Sequence, residues 1–262
     1  MLIYKYTSSF AGKLIVENGS IRFSQVEVLN DPFELAPSLD KFKSTIKNFV
    51  RNTQEFKDNT KNMTFIEKEA SIQRIVQPSI DEILKQTKES VVLSLTKTPD
   101  NPLMWSHYAD SHKGVVIGFD YDNYFFHQTE HPQITCSYDV NYSDVRPEFF
   151  DFVNFWNMNV SVDDYRNMLL TKSIEWKYEE EVRMFAHPTA ATNKKQGKDG
   201  FDIYLFDFPK ECLKKIIFGS LMSASEKTKI AEIAKRLYPH VELLEAIRNE
   251  ARYNLKFKTY NG

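Results

Sequence analysis

The sequence predicts a mixed α+β fold, and three observations carry that class. Two β-branched runs, residues 91–95 and 115–119, flank a polar connection rich in aromatics and histidines. Residues 40–89 are charged, lack glycine and repeat their apolar side chains at helical spacing. Near the C-terminus a capped helix stands between two strand-like runs, the pattern of a βαβ unit. With 262 residues and 42% hydrophobic content, the chain is long enough to bury a sizeable core as a single domain, 1–262, interrupted by a helical insertion at about 40–89.

The elements follow in order. LIYKYTS opens as a strand with Leu2, Tyr4 and Tyr6 on one face and Ile3, Lys5 and Thr7 on the other, and a strand starting this early is expected inside the sheet. SFAGKLIVENGS reads as a short helix closed by Asn18-Gly19. IRFSQVEVLNDPFEL reads as a second strand ending in the turn Asn30-Asp31-Pro32, which leaves Asn30, Asp31 and Glu34 at a strand end. In the helical block Phe42, Ile46, Phe49 and Val50, then Ile66, Ile72, Ile75, Val76, Ile80, Ile83 and Leu84, predict two or three helices, with Pro78 starting or kinking the last.

The central stretch, 91–119, reads as strand, loop, short helix and strand. Its helix carries Trp105, His107 and Tyr108, His112 follows, and Gly114 opens the second run. Ile134, Cys136, Tyr138, Val140 and Tyr142 alternate as a half-buried strand does, and residues 147–172 are expected to be helical in part. SIEWKYEEEVRMFAHP is read as a strand with Glu179, Glu181 and Arg183 on one side. TAATNKKQGKDG, small, polar and basic, is read as a mobile loop, a lid or a partner contact. Residues 201–208 and 214–219 are strands, Ser223 and Glu226 form a capping box on a helix to about Leu237, and further strands follow at 241–247 and 251–260.

Bulk properties narrow the function. With 34 basic against 36 acidic residues the net charge is -2, so no global field draws the chain to nucleic acid or anionic membranes. Two cysteines cannot make a disulfide framework, and MLIYKYTSSF is not a basic-then-apolar leader, so a reducing, cytoplasmic setting is expected. No apolar run approaches the roughly 20 residues that span a bilayer. Neither phosphate-binding glycine motif nor a nucleophile elbow occurs. His127 and His131 are four apart, but Pro132 follows and Glu130 is misplaced for a zinc helix; no metal site is expected.

The remaining chemistry is acidic. The run Glu179-Glu180-Glu181 has an ordinary reading as a solvated edge, and a sharper one in which Trp176 and Tyr178 desolvate a carboxylate. Two carboxylates projecting together from a strand suit a sugar carbon at which positive charge develops. Arg183 on the same face either meets a phosphate or neutralises Glu181. Trp105 and Tyr108, three apart on a helix, read more often as core residues than as a cofactor platform. Lys5, flanked by apolar neighbours on an interior strand, needs a glutamate or a ligand phosphate as partner.

Two resemblances add to this reading. Tyr4-Lys5-Tyr6, Asn30-Asp31-Pro32-Phe33-Glu34, the block from Met104 to Ala109, Gly114 with Gly118-Phe119, and Trp176-x-Tyr178-Glu179-x-Glu181-x-Arg183 occur in an order that resembles a bacterial family of uncharacterised proteins, a domain of unknown function. That resemblance spans residues 2–187 and implies no activity. More remotely, a YxYTS-like first strand, a helix, a second strand and a late strand with Glu-x-Glu resemble the ADP-ribosyltransferase superfamily, which implies a mixed sheet of that type and NAD as substrate. By this resemblance Glu181, or else Glu179, is catalytic. By the same resemblance Lys5 contacts the dinucleotide and Trp105 or Tyr108 stacks on nicotinamide, with Tyr6, Asn30, Asp31, His112 and Arg183 as further candidate ligand contacts, and ADP-ribose passes to a protein, nucleic acid or small-molecule acceptor, in bacterial defence or stress responses. The sequence departs from that superfamily at Lys5, where a histidine or arginine is usual, and in its helical insertion. Two other readings stay open: a non-catalytic sensor of a nucleotide or other phosphorylated ligand, and a metal-dependent nucleic-acid-processing enzyme using Asp31, Glu34, Glu179 and Glu181.

Overall fold

A computed structural model of the chain describes residues 1–87, 89–131, 133–148, 162–197 and 200–262. Its strands are β1 Leu2–Thr7, β2 Ser20–Gln25, β3 Val91–Thr96, β4 Val115–Asp120, β5 Tyr138–Asp139, β6 Asn141–Ser143, β7 Thr171–Ser173, β8 Glu181–Ala186, β9 Asn193–Gln196, β10 Asp202–Asp207, β11 Leu213–Phe218, β12 Glu242–Arg248 and β13 Leu255–Thr259. Its α-helices are α1 Ser9–Asn18, α2 Asp40–Asn52, α3 Gln54–Asn59, α4 Phe65–Thr87, α5 Pro102–Tyr108, α6 Val162–Leu170 and α7 Ala224–Leu237. Among the described residues no helix is long and apolar enough to cross a membrane.

The chain divides into two compact units: Met1–Gln25, Val91–Val140 and Lys177–Gly262 form the first; Val26–Ser90 and Asn141–Trp176 form the second. The fold is mixed α+β. The first unit holds one large mixed sheet in the order β13-β12-β11-β4-β1-β3-β2-β10-β9, with β8 also paired to β3 and β5 to β8. Only β11 and β12 in it run parallel, and α7 connects them, as the C-terminal βαβ pattern predicts. One face packs Ile3, Ile117, Phe119, Leu93 and Phe23 against Val16 of α1 and Ile230 of α7; the other packs Tyr6, Val116 and Ile217 against Met104 and Trp105 of α5.

Local chemistry accounts for the helix ends. Ser8 caps α1 by accepting from Ala11 N at 3.2 Å, and Gly19 ends it in the left-handed region, φ 67°, donating to Ile15 O. Ser223 caps α7 as expected, its Oγ accepting from Glu226 N at 3.3 Å, while the Glu226 carboxylate accepts from the Ser223 hydroxyl at 3.1 Å. Ser9 of α1 donates to the same glutamate at 2.7 Å, so the cap also ties α1 to α7.

In the second unit α2, α3 and α4 bury Phe42, Ile46, Phe56, Ile72, Val76 and Ile80, while β6 and β7 make a short parallel pair. α4 runs on through Pro78. Ile66 and Ile75 lie on its exposed side: the buried stripe repeats every four residues from Ile72, and Ile75 is turned about 100° from it.

Several expected boundaries move. β2 ends at Gln25 and a 3₁₀ turn, Val26–Val28, replaces its predicted continuation to the Asn30 turn. The alternating run 134–142 is no single strand; it makes an isolated bridge from Ile134 to Ala186 and then β5 and the start of β6, and between bridge and β5 Ser137 gives its N–H to Phe126 O instead of to β8. Part of the supposed loop 189–200 is strand β9, paired to β10; residues 198–199 of it lie outside the described residues, as do 149–161 of the partly helical stretch and Pro132.

Candidate functional site

The site of the first unit is built around β3, which has three partners. β8 takes one edge along its whole length, from Val91 opposite Ala186 to Thr96 opposite Glu181. The other edge is shared: β2 holds Val91 and Val92, β1 meets only Thr96, and between them the two strands part. Lys5 of β1 reaches into this fork and donates from Nζ to Ser94 O at 2.9 Å. Burial is the main cause that brings its pKa down to about 8, with the positive charge of Arg22 acting the same way and Glu181 and then Glu179 acting against it. Those four side chains therefore share one electrostatic neighbourhood.

Glu181 opens β8 and is gripped side-on by Arg183, with Nε to Oε1 at 2.8 Å and Nη2 to Oε2 at 2.9 Å; the two side chains are 4% and 1% exposed. So tight a bidentate pair fixes Glu181 as a carboxylate. Glu179 is reached differently. The strand expected to carry Glu179, Glu181 and Arg183 on one side starts only at Glu181, since residues Ile174–Glu179 form a 3₁₀ turn and Glu180 adopts φ 43°. A left-handed residue between them breaks the period-two alternation. Even so, Glu179 is buried and accepts from Tyr108 Oη at 2.5 Å.

Asn101 holds this arrangement, and nothing in the sequence marked it beyond its place before Pro102. Its Oδ1 accepts from Leu103 N at 2.9 Å and caps α5, while its Nδ2 donates to Tyr178 O at 3.1 Å, next to Glu179. One amide thus sets both the helix that carries Tyr108 and the turn that carries Glu179.

Trp105 is no platform for a ring: it is completely buried and its Nε1 donates to Pro99 O at 2.8 Å. Tyr6 packs edge-on against it at 5.4 Å and donates to Thr98 O at 3.0 Å, and burial raises its phenol pKa. These two expected contact residues are core, the other reading of an aromatic at helix or strand spacing. His112 stacks on the Trp105 ring at 6.2 Å with Nε2 3.2 Å from Ser106 Oγ, and burial lowers its pKa. It ends a run of three left-handed residues, Asp110, Ser111 and His112, at φ 48°, 52° and 67°.

Asn30 and Asp31 belong to the second unit. There Asp31 Oδ1 accepts from Phe33 N at 2.8 Å, an Asx turn, and Asp31 and Glu34 line a pocket with Phe33, Arg146 and Lys172. Glu34 is ion-paired with Lys172 at 3.2 Å, both buried, and the ammonium lies 5.1 Å from the Trp176 ring centroid. Among the described residues no group of three or more metal-ligating side chains converges, and Glu34 and Glu181 each face a cation instead.

Arg22 of β2 went unremarked in the sequence, where an arginine between Ile21 and Phe23 reads as the solvated side of a strand. Its Nε and Nη2 are buried, and among the described residues neither has a hydrogen-bond partner; Gln25 Oε1 on the same strand is in the same condition.

Residues 104–184 match a family model described as "Protein of unknown function (DUF2971)". The stretch similar to DUF2971 includes Trp105, Tyr108, Glu179, Glu181 and Arg183, and leaves out Lys5 and Arg22. No curated protein and no solved structure matches the chain.

Proposed function

We propose that the chain is an enzyme of ADP-ribosyltransferase type, with NAD as its substrate and the fork of β3 in the first unit as its active site. The observation that carries this reading is the burial of two carboxylates, Glu179 and Glu181, in the field of Lys5. When a nicotinamide–ribose bond breaks, positive charge grows at the ribose carbon. A fixed carboxylate in a water-poor site stabilises that charge without having to reorganise. Glu181, oriented by Arg183, is the electrostatic partner. Glu179, held through Tyr108, sets the second carboxylate. Lys5 takes the first-strand place at which the superfamily contacts the dinucleotide.

The test is incubation of the whole chain with NAD and a chelator, following free nicotinamide by chromatography, for the wild type, Glu179→Gln and Glu181→Gln. Release by the wild type that falls at least a hundredfold in one variant supports the reading. No release, together with no rise of melting temperature on adding NAD, refutes it. One observation favours a second reading, a nucleotide sensor without turnover: both oxygens of Glu181 already accept hydrogen bonds from Arg183. NAD that raises the melting temperature while no nicotinamide appears would select the sensor.

A further inference from the structure

Arg22 pairs with Leu205 of β10, and its neighbours Ile21 and Phe23 point into the core beneath α1 and α7. Its own side chain therefore leaves from the opposite face of β2. Two residues later Ser24 pairs with Val92, so Arg22 stands just beyond the last contact of β2 with β3, on the far side of the fork from Lys5. Its charge is one of those that hold the Lys5 pKa down.

The two orphaned nitrogens form one edge. Nε and Nη2 of a guanidinium present two parallel N–H groups whose spacing matches two oxygens of one oxyanion. Arg183 uses that edge in this unit, meeting Glu181 at 2.8 and 2.9 Å. Arg22 offers the same edge, and among the described residues nothing accepts from it. Arginine cannot relieve the situation by losing its proton.

We infer that the Nε/Nη2 edge of Arg22 is the seat of a phosphate group of a small phosphorylated ligand, gripped side-on. The inference rests on the orphaned edge and holds for any phosphorylated ligand, whatever reaction follows at the glutamates.

Inorganic phosphate is the probe. It is titrated calorimetrically into the full chain at constant ionic strength, with chloride as the balancing anion, for wild type, Arg22→Gln and Arg22→Lys. Saturable binding is expected for the wild type, at least tenfold weaker in Arg22→Gln. Arg22→Lys should fall between them, because an ammonium cannot make two parallel bonds. In phosphate-free buffer Arg22→Gln should melt at or above the wild type, since it removes two buried N–H groups that nothing among the described residues accepts from. The inference is overturned if neither phosphate nor pyrophosphate binds the wild type saturably, if Arg22→Gln binds as tightly, or if Arg22→Gln melts clearly lower and so shows Arg22 to be structural. Phosphate binding without nicotinamide release would leave this site standing and remove the NAD reaction.

Discussion

Replacing Glu181 by glutamine tests how the buried pair is balanced. Glu181 and Arg183 are 4% and 1% exposed and share two hydrogen bonds of 2.8 and 2.9 Å. Glutamine keeps the shape but removes the charge, and leaves the guanidinium of Arg183 buried opposite a neutral amide that can offer it only one oxygen. Breaking a buried pair from one side costs about 3–5 kcal/mol. At about 2–4 °C per kcal/mol for a chain of this size, the melting temperature should fall by roughly 6–20 °C. The double variant Glu181→Gln/Arg183→Gln removes both charges and should regain a large part of that loss, so that the coupling energy in a double-mutant cycle exceeds about 1.5 kcal/mol. Urea unfolding at pH 7 of the wild type, Glu181→Gln, Arg183→Gln and the double variant measures it. A single variant within about 1 kcal/mol of wild type, or single effects that simply add, would show that the pair is not a desolvated unit. The result also bears on the activity test: nicotinamide release by Glu181→Gln must be compared under conditions where both proteins are folded.

Three further outcomes follow from the same geometry. Lys5 has its pKa brought from an ordinary 10.5 to about 8, so between those values the unfolded chain keeps a proton that the folded chain has released, and the Lys5 contribution to stability rises with pH across that window; wild type should gain on Lys5→Met between pH 7.5 and 9.5, and parallel pH profiles in urea unfolding would refute the assignment. Lys172→Met takes the paired ammonium away from the buried carboxylate of Glu34 and should destabilise the second unit by about 3 kcal/mol, seen as faster hydrogen exchange at β6 and β7, with unchanged exchange as the contrary result. At Gly114 an added Cβ would lie 2.2 Å from Thr7 O and 2.8 Å from Ala109 O, both backbone atoms, so Gly114→Ala should cost about 3 kcal/mol; a loss below about 1 kcal/mol would mean that this loop shifts freely.

Much of the framework was legible because it is periodic. The alternation of LIYKYT, the apolar runs of β3 and β4 and the capped α7 between β11 and β12 all form where side-chain spacing places them. The site was legible in its residue types but not in its geometry. Glu179 and Glu181 come together through a 3₁₀ turn and a left-handed Glu180, which residue spacing does not encode, while Trp105 and Tyr6 turned out to be core because their polar tips find backbone carbonyls in the loop after β3. Arg22 was missed for a physical reason: one arginine between two apolar residues is the signature of a half-exposed strand, and the burial of its Nε and Nη2 is a tertiary fact that spacing does not encode. Asn101 carries a signal a reader could have used, an Asn-Pro step ahead of an aromatic helix, though its second bond to Tyr178 O is a tertiary fact.

The three left-handed residues before Lys113 reverse the usual logic of substitution. Asp110, Ser111 and His112 trace a short piece of mirror-image backbone, locked by Lys113 N to Asp110 O, Gly114 N to Ala109 O and Leu221 N to His112 O. For an L-residue that conformation costs about 1–2 kcal/mol per position, and glycine is exempt. Glycine at Ser111 would therefore tighten the protein, where at most positions it loosens one. At His112 the same exchange would relieve strain but remove the imidazole stacked on Trp105. Along this turn, chain stereochemistry and side-chain chemistry select for opposite residues, and among related sequences glycine should be frequent at position 111 and rare at 112.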